Sequence, residues 1–234
     1  MFTSLFTKTL SILTLQLAIT WATTIIAINW FKKIYLQGKF KISATENEAG
    51  ELDLELNFHT IKPYFWGLLI IDIIVFLLLL FFGINNLTIG LILFSIWSII
   101  TGLELALTLL MVDENLGGKV LAITASITAG AAVIGMYSGI RFGFLGPILF
   151  GSLTLLIAAN IVRLFISIPR VSQRVMAFFG VFVFIGYLLF DFNQLAEAGK
   201  EELANTWSAA LWFAIEIYLD IVNLFLQLLD LLSD

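Results

Sequence analysis

Six polar residues, Glu216, Asp220, Asn223, Gln227, Asp230 and Asp234, follow one another at steps of 4, 3, 4, 3 and 4. Those steps put all six on one face of a helix. The other faces carry Ile215, Ile217, Leu219, Ile221, Val222 and Leu224, so the segment is an apolar helix with one polar seam. A seam turned to lipid would leave carboxyls unpaired in hydrocarbon; it must face a bundle interior or a wet cavity. The competing reading, an amphipathic helix lying on the membrane surface, is disfavoured by the length of the segment and its lack of Lys and Arg. A second acid, Asp191, follows the apolar run Val181–Phe190 and precedes Asn193 and Gln194; the plain alternative is that it marks the end of a span at the headgroups. Asp72, Glu104, Asn160 and Arg163 also fall inside apolar runs, with Asp72 and Glu104 open to the same headgroup reading. The tally inside those runs is Asp72, Glu104, Asp191, Glu216 and Asp220 against Arg163 alone. An acid-rich interior suits protons or cations, and hard cations such as calcium take oxygen ligands.

The elements that must hold these groups are membrane spans. The chain has 234 residues, 60% hydrophobic and 12% charged, with mean hydropathy +1.03. A soluble domain carries roughly twice that charge fraction. Seven runs near 9–31, 62–83, 87–111, 119–138, 144–168, 172–197 and 205–231 can each cover a bilayer core, which needs about 20 helical residues. The fold class is therefore an all-α membrane protein, residues 1–234 forming a single seven-helix domain. Short connections predict that most neighbours are antiparallel. Gly83-Ile84-Asn85-Asn86, Asp113-Glu114-Asn115 and Ile168-Pro169-Arg170 read as turns.

One loop departs from this pattern. Phe40, Ile42 and Ala44, then Leu52, Leu54, Leu56 and Phe58, alternate with polar residues around Glu48-Ala49-Gly50-Glu51. Period-two alternation about a glycine-containing turn predicts a short extramembrane β-hairpin at about 38–60, with an unstructured loop as the alternative. The fourth run is rich in small residues, including Gly135 and Gly139 of a G-x-x-x-G, which predicts a tightly packed inner helix; a dimer interface is the lesser reading. The first run, Leu10 to Trp30, is too long for a signal-peptide core and is expected to be a retained span. Counted by side, the Lys and Arg residues place the N-terminus outside, a vote dominated by the first loop. The chain has no cysteine, so disulfide and thiolate chemistry are excluded. The lone His59 is expected in a loop as a solvated residue rather than a metal ligand. No basic patch points to nucleic acid.

Ile217-Tyr218-Leu219-Asp220-Ile221-Val222-Asn223-Leu224-Phe225-Leu226-Gln227-Leu228-Leu229 resembles the closing helix of the Bax inhibitor-1 (transmembrane Bax inhibitor motif-containing) family. Gly186-Tyr187-Leu188-Leu189-Phe190-Asp191 resembles that family's sixth helix, which also ends on an aspartate. Thr9-Leu10 through Trp21-Ala22-Thr23, Thr101-Gly102-Leu103, Phe144-Leu145-Gly146 and Ala158-Ala159-Asn160-Ile161 resemble parts of its first, third and fifth spans, in the same order. The resemblance covers most of the chain and is to bacterial-type members. It implies seven helices with the C-terminal one central, in a bacterial cytoplasmic membrane. It further implies a calcium leak whose gating depends on pH, with Asp191 and Asp220 as a hydrogen-bonded, proton-sensing pair. The chain departs from the family in its β-like loop and in the separation of 29 positions from Asp191 to Asp220. Asp191 lies about 10 Å from the loop between the last two spans and Asp220 about 20 Å from it. Tilt or an extended seventh helix must close that difference.

Three functions follow as expectations. The first is a pH-gated cation leak. Two apposed carboxyls in low dielectric cannot both ionise cheaply, so the pair shares a proton that latches helices six and seven. Loss of that proton adds like charge and opens an anionic path for calcium, held transiently at Asp191 and Asp220. Glu216, Asn223, Gln227 and Asn160 would line the cavity, Glu104 is a candidate for the ion path, and Arg163 is a candidate charge partner for an aspartate. Lipid, calcium ions and protons are the expected partners, and no resident cofactor is expected. The second is a non-conducting regulator that binds other membrane proteins, such as a membrane protease. The third, an aspartyl protease, is disfavoured because neither Asp191 nor Asp220 sits in a G-x-G-D setting. No G-x-S-x-G, H-E-x-x-H or P-loop pattern occurs either, so no enzyme is expected.

Overall fold

A peptide group in hydrocarbon has no water to bond, so apolar runs of this length close their hydrogen bonds within helices. The structure, a computed structural model, describes residues 4–36, 43–46, 52–55, 58–83, 85–112, 114–166 and 168–233. Its helices are α1 (Leu5–Leu36), α2 (Phe58–Leu78), α3 (Leu87–Leu109), α4 (Glu114–Tyr137), α5 (Leu145–Phe165), α6 (Arg170–Ala198) and α7 (Trp207–Leu232). Among the described residues, seven helices are long and apolar enough to cross a membrane. The protein is an integral, multi-pass membrane protein. Hydroxyls within the helices donate back to carbonyls one turn earlier, as Thr20 does to Gln16, Thr124 to Val120 and Thr154 to Phe150. That habit satisfies a polar group without a partner from another helix.

Strands β1 (Ser43–Glu46) and β2 (Leu52–Glu55) form the antiparallel hairpin read from the alternation, Ser43 opposite Glu55 and Glu46 opposite Leu52. Phe40, Ile42, Leu56 and the turn at 48–51 lie outside the described residues, as do Ile84, Asp113 and Asp234. His59 is not in a loop: α2 starts at Phe58, so His59 belongs to its first turn. Residues 58–61, read as the end of the loop with Phe58 in its alternation, are taken up by the helix instead.

The chain resolves into two compact units, residues 11–117 and residues 1–10 with 118–234. In the first, α1 and α3 pack through buried polar contacts. Gln16 donates to Ser95 Oγ at 3.2 Å, and Ser98 donates to Gln16 Oε1 at 2.9 Å. Thr24 Oγ1 donates to the Gly102 carbonyl at 3.0 Å. The helices touch closely there, since a Cβ on Gly102 would sit 2.6 Å from the Thr20 carbonyl oxygen. A π-helical turn, Leu79–Gly83, ends α2, and Asn86 caps α3 by accepting from Ile89 N.

In the second unit α6 and α7 are the principal pair. Gly180 of α6 gives way to Gln227 of α7, whose Oε1 would lie 2.5 Å from a Cβ, and Gly186 gives way to Leu149 of α5. Thr206 caps α7 by accepting from Ala209 N at 3.1 Å. The expectation of an inner fourth helix is corrected. Only 22% of α4's most apolar window is buried, and Ala122, Ala125, Ser126, Ala129 and Gly130 are exposed. Small residues permit close approach but do not decide which face is approached. Gly135 alone of the G-x-x-x-G is a contact, with α6. Gly139 lies beyond the helix end at φ +73°, a left-handed turn conformation that glycine adopts freely.

Candidate functional site

The site lies between the second half of α6 and the first half of α7. Asp191, seven residues before the end of α6, is 6% exposed; Asp220, in the middle of α7, is 5% exposed. Their carboxyls face one another within hydrogen-bonding reach. Among the described residues, no N–H or hydroxyl donor reaches the buried Oδ2 of Asp220. Meeting at one level requires α7 to start well beyond the end of α6. Asp191 is about 10 Å from Ala198 and Asp220 about 20 Å from Trp207 at 1.5 Å per residue. The connection 199–206, with a 3-10 turn at Glu202–Ala204, makes up that difference. Its far end is moored by Lys8, whose Nζ donates to Asn205 O and Oδ1 at 2.8 and 2.9 Å and sits 5.7 Å from the centre of the Trp207 ring.

A cavity of about 450 Å³ opens beside the pair, lined by Asp191, Gln194, Glu197, Trp212 and Glu216 among others. It is acidic on both walls, with Glu197 paired to Lys200 at the surface. Glu216 therefore stands in a polar space shared with Asp191.

The rest of the seam does not share it. Asn223 donates to the Leu219 carbonyl of its own helix at 2.8 Å, and Gln227 packs on Gly180. Asn160 of α5 likewise donates to the Leu156 carbonyl, at 2.9 Å. Asp230 is clasped by two arginines: Arg163 Nη1 donates to Oδ2 at 2.9 Å and Arg170 Nη1 to Oδ1 at 2.7 Å. The aspartate that Arg163 partners is thus Asp230. Arg170 also donates to the Asp230 and Ser233 carbonyls, and Arg174 to Ser233, so cations cover the carbonyl end of α7. In the other unit, Asp72 lies half-buried near Trp97, and Glu104 is half-buried with Oε1 unpartnered. Among the described residues, no group of three or more His, Cys, Asp or Glu is placed to hold a metal ion.

Two features had no separate signal in the sequence. Asn193 reads as one of the polar residues after Asp191, but it is buried and fully bonded. The Arg163–Asp230–Arg170 clasp joins residues from three helices, which no local spacing reveals.

A family model described as inhibitor of apoptosis-promoting Bax1 matches residues 3–234. The chain belongs to the Bax inhibitor-1 family. Protein LIFEGUARD 3 of Arabidopsis thaliana is 37% identical over 94 residues, 40% of this chain and 36% of that protein. Inner membrane protein YbhL of Escherichia coli K12 is 25% identical over 146 residues, 61% of this chain and 62% of its own length. The Golgi anti-apoptotic protein of vaccinia virus is 36% identical over 93 residues, 36% of its length. The matched stretch thus spans between about a third and under two thirds of these relatives. The Bax inhibitor-1 family model covers α1 to α7 of this chain.

Proposed function

We propose that this protein is a pH-responsive leak pathway for calcium or a similar cation, gated by Asp191 and Asp220. The observation that carries this reading is the facing of two buried carboxyls across the α6–α7 interface. Two carboxylates in contact away from water repel strongly, so the closed state holds one proton between them. That proton is a donor where no fixed one reaches Oδ2 of Asp220. Losing it turns a hydrogen bond into a like-charge contact and drives the helices apart. The separation would extend the acidic cavity, with Glu216 on its wall, into the bilayer, where a hard cation is attracted to oxygen ligands.

The test is calcium-dye flux in liposomes across about pH 5 to 8, the range in which a buried carboxyl pair titrates. Asp191→Asn and Asp220→Asn each keep the shape but remove one titrating acid, so each flattens the pH profile, and the double variant adds little. Asp72→Asn, in the other unit, changes the profile less. An unchanged profile in both single variants rejects the latch.

The second reading, a non-conducting regulator that binds other membrane proteins, is favoured by the descriptions its relatives carry. The family is described as inhibiting an apoptosis-promoting protein and the viral relative as anti-apoptotic. Absence of calcium flux in the parent protein makes this the better reading.

A further inference from the structure

Asp191 meets Asp220 only if α6 keeps one rotation about its axis and one height. Successive helical residues turn by about 100°, so Asp191 and Asn193 point about 200° apart, to opposite sides of α6. Asp191 faces α7. Asn193, 6% exposed, faces the end of α4 and the connection to α5. There it uses its whole amide: Oδ1 accepts from Phe142 N at 3.0 Å, and Nδ2 donates to Gly135 O at 3.0 Å and to Ile140 O at 3.1 Å. Gly135 O belongs to the last turn of α4, and Ile140 O and Phe142 N lie just past its end, where backbone groups lack partners along the helix.

Backbone contact fixes the same place. A Cβ on Gly135 would fall 2.8 Å from the Leu189 carbonyl oxygen, 3.0 Å from Phe192 Cβ and 3.3 Å from Asn193 N. Helix α6 thus rests its backbone against α4 and is keyed there by three hydrogen bonds. Turning α6 by one residue would break all three and move Asp191 off α7 together.

We propose that Asn193 is the positioning residue of the carboxyl pair: its three bonds to the end of α4 and the α4–α5 connection hold α6 still, presenting Asp191 to Asp220. This deepens the leak reading and rests on it for its consequence, but its geometric part stands alone. Among the described residues, the charged and titratable groups about Asp191 are Asp220 and Glu216 from α7, Tyr187 and Glu197 from α6 and Glu201 beyond its end, with Lys200, and Arg141 of the α4–α5 connection, near Glu197. Asn193 itself is neutral, so its effect on Asp191 comes through position.

The chain has no cysteine, which makes the test clean. Asp191→Cys with Asp220→Cys gives a pair whose oxidative cross-linking rate reads their facing in membranes. Adding Asn193→Leu should slow cross-linking by about five- to thirtyfold, the factor that one or two kcal/mol of lost orientation is worth. Gly135→Ala leaves every bonding group of Asn193 in place but pushes α6 away from α4; it should slow the reaction similarly and serves if Asn193→Leu does not fold. Undiminished cross-linking in either folded variant overturns the proposal. With both aspartates intact, Asn193→Leu should also flatten the pH profile of calcium flux, a readout that simple loss of stability would not move. Slowed cross-linking in a protein that conducts nothing at any pH would sink the leak reading while upholding Asn193 as the keying residue.

Discussion

Replacing Asp230 by Asn tests the clasp at the end of α7 and its strength can be worked from the structure. The carboxylate accepts from Arg163 at 2.9 Å and Arg170 at 2.7 Å, on different oxygens. Asparagine keeps the shape but has one acceptor, so one arginine would face an amide NH₂ instead. A charged hydrogen bond contributes roughly 1.5–3 kcal/mol when dry, and an exposed ion pair about 0–1. These side chains are 33%, 34% and 26% exposed, between the two cases. About 1 kcal/mol for each bond is the reasonable figure, so Asp230→Asn should cost about 1–2 kcal/mol. In a chain of this length that lowers the melting temperature by about 2–8 °C. Thermal unfolding in detergent, at low and high salt, measures it. The parent should lose stability with salt and the variant should respond less, because screening weakens only the charged contacts. Combining Asp230→Asn with Arg163→Gln should cost less than the sum of the two, since they share one bond. A variant melting within a degree of the parent, with the same salt response, refutes the clasp as a stabilising feature.

Other expectations follow from packing and access. Gly102→Ala should destabilise by about 1–3 kcal/mol, as overpacking does, because a Cβ there meets a carbonyl oxygen and Thr23 Cβ within 2.8 Å. Gly118→Ala, where a Cβ meets nothing within 4 Å, should be neutral or better in the same thermal assay. Glu216→Cys should react with a water-soluble thiol reagent faster than Leu219→Cys, since Glu216 lines the cavity; equal rates would mean that the cavity is closed to water.

The helices were legible because a bilayer demands long apolar runs, and that demand outweighs local propensity. The hairpin was legible in part: alternation marked the strands 43–46 and 52–55, but Phe58, which shares the same period, opens α2. The seam drew attention to Asp220 correctly as a residue that lipid could not surround, yet it overstated what a shared face means. One stripe along α7 meets different neighbours at each turn: the cavity at Glu216, Asp191 at Asp220, a glycine at Gln227 and two arginines at Asp230. Asn223 turns back on its own backbone. Spacing fixes direction about one axis and says nothing of what the neighbouring helix presents at each height. The same limit explains α4, whose small residues were read as contacts although most are exposed, and Asn193, whose partners lie 51 to 58 residues away.

Lys8 reaches across 197 positions of sequence to hold Asn205. Synthesis runs from the N-terminus, so the first helix enters the membrane long before its lysine has anything to grip. The ammonium must wait, hydrated at the interface, until the 199–206 connection has been made. The mooring at the start of α7 is then a late contact, formed only after α1 to α6 have been made. Lys8→Met would leave insertion of the early helices untouched and act on that last step, so its defect would show as a late intermediate cleavable in the 199–206 connection rather than as loss of the earlier spans.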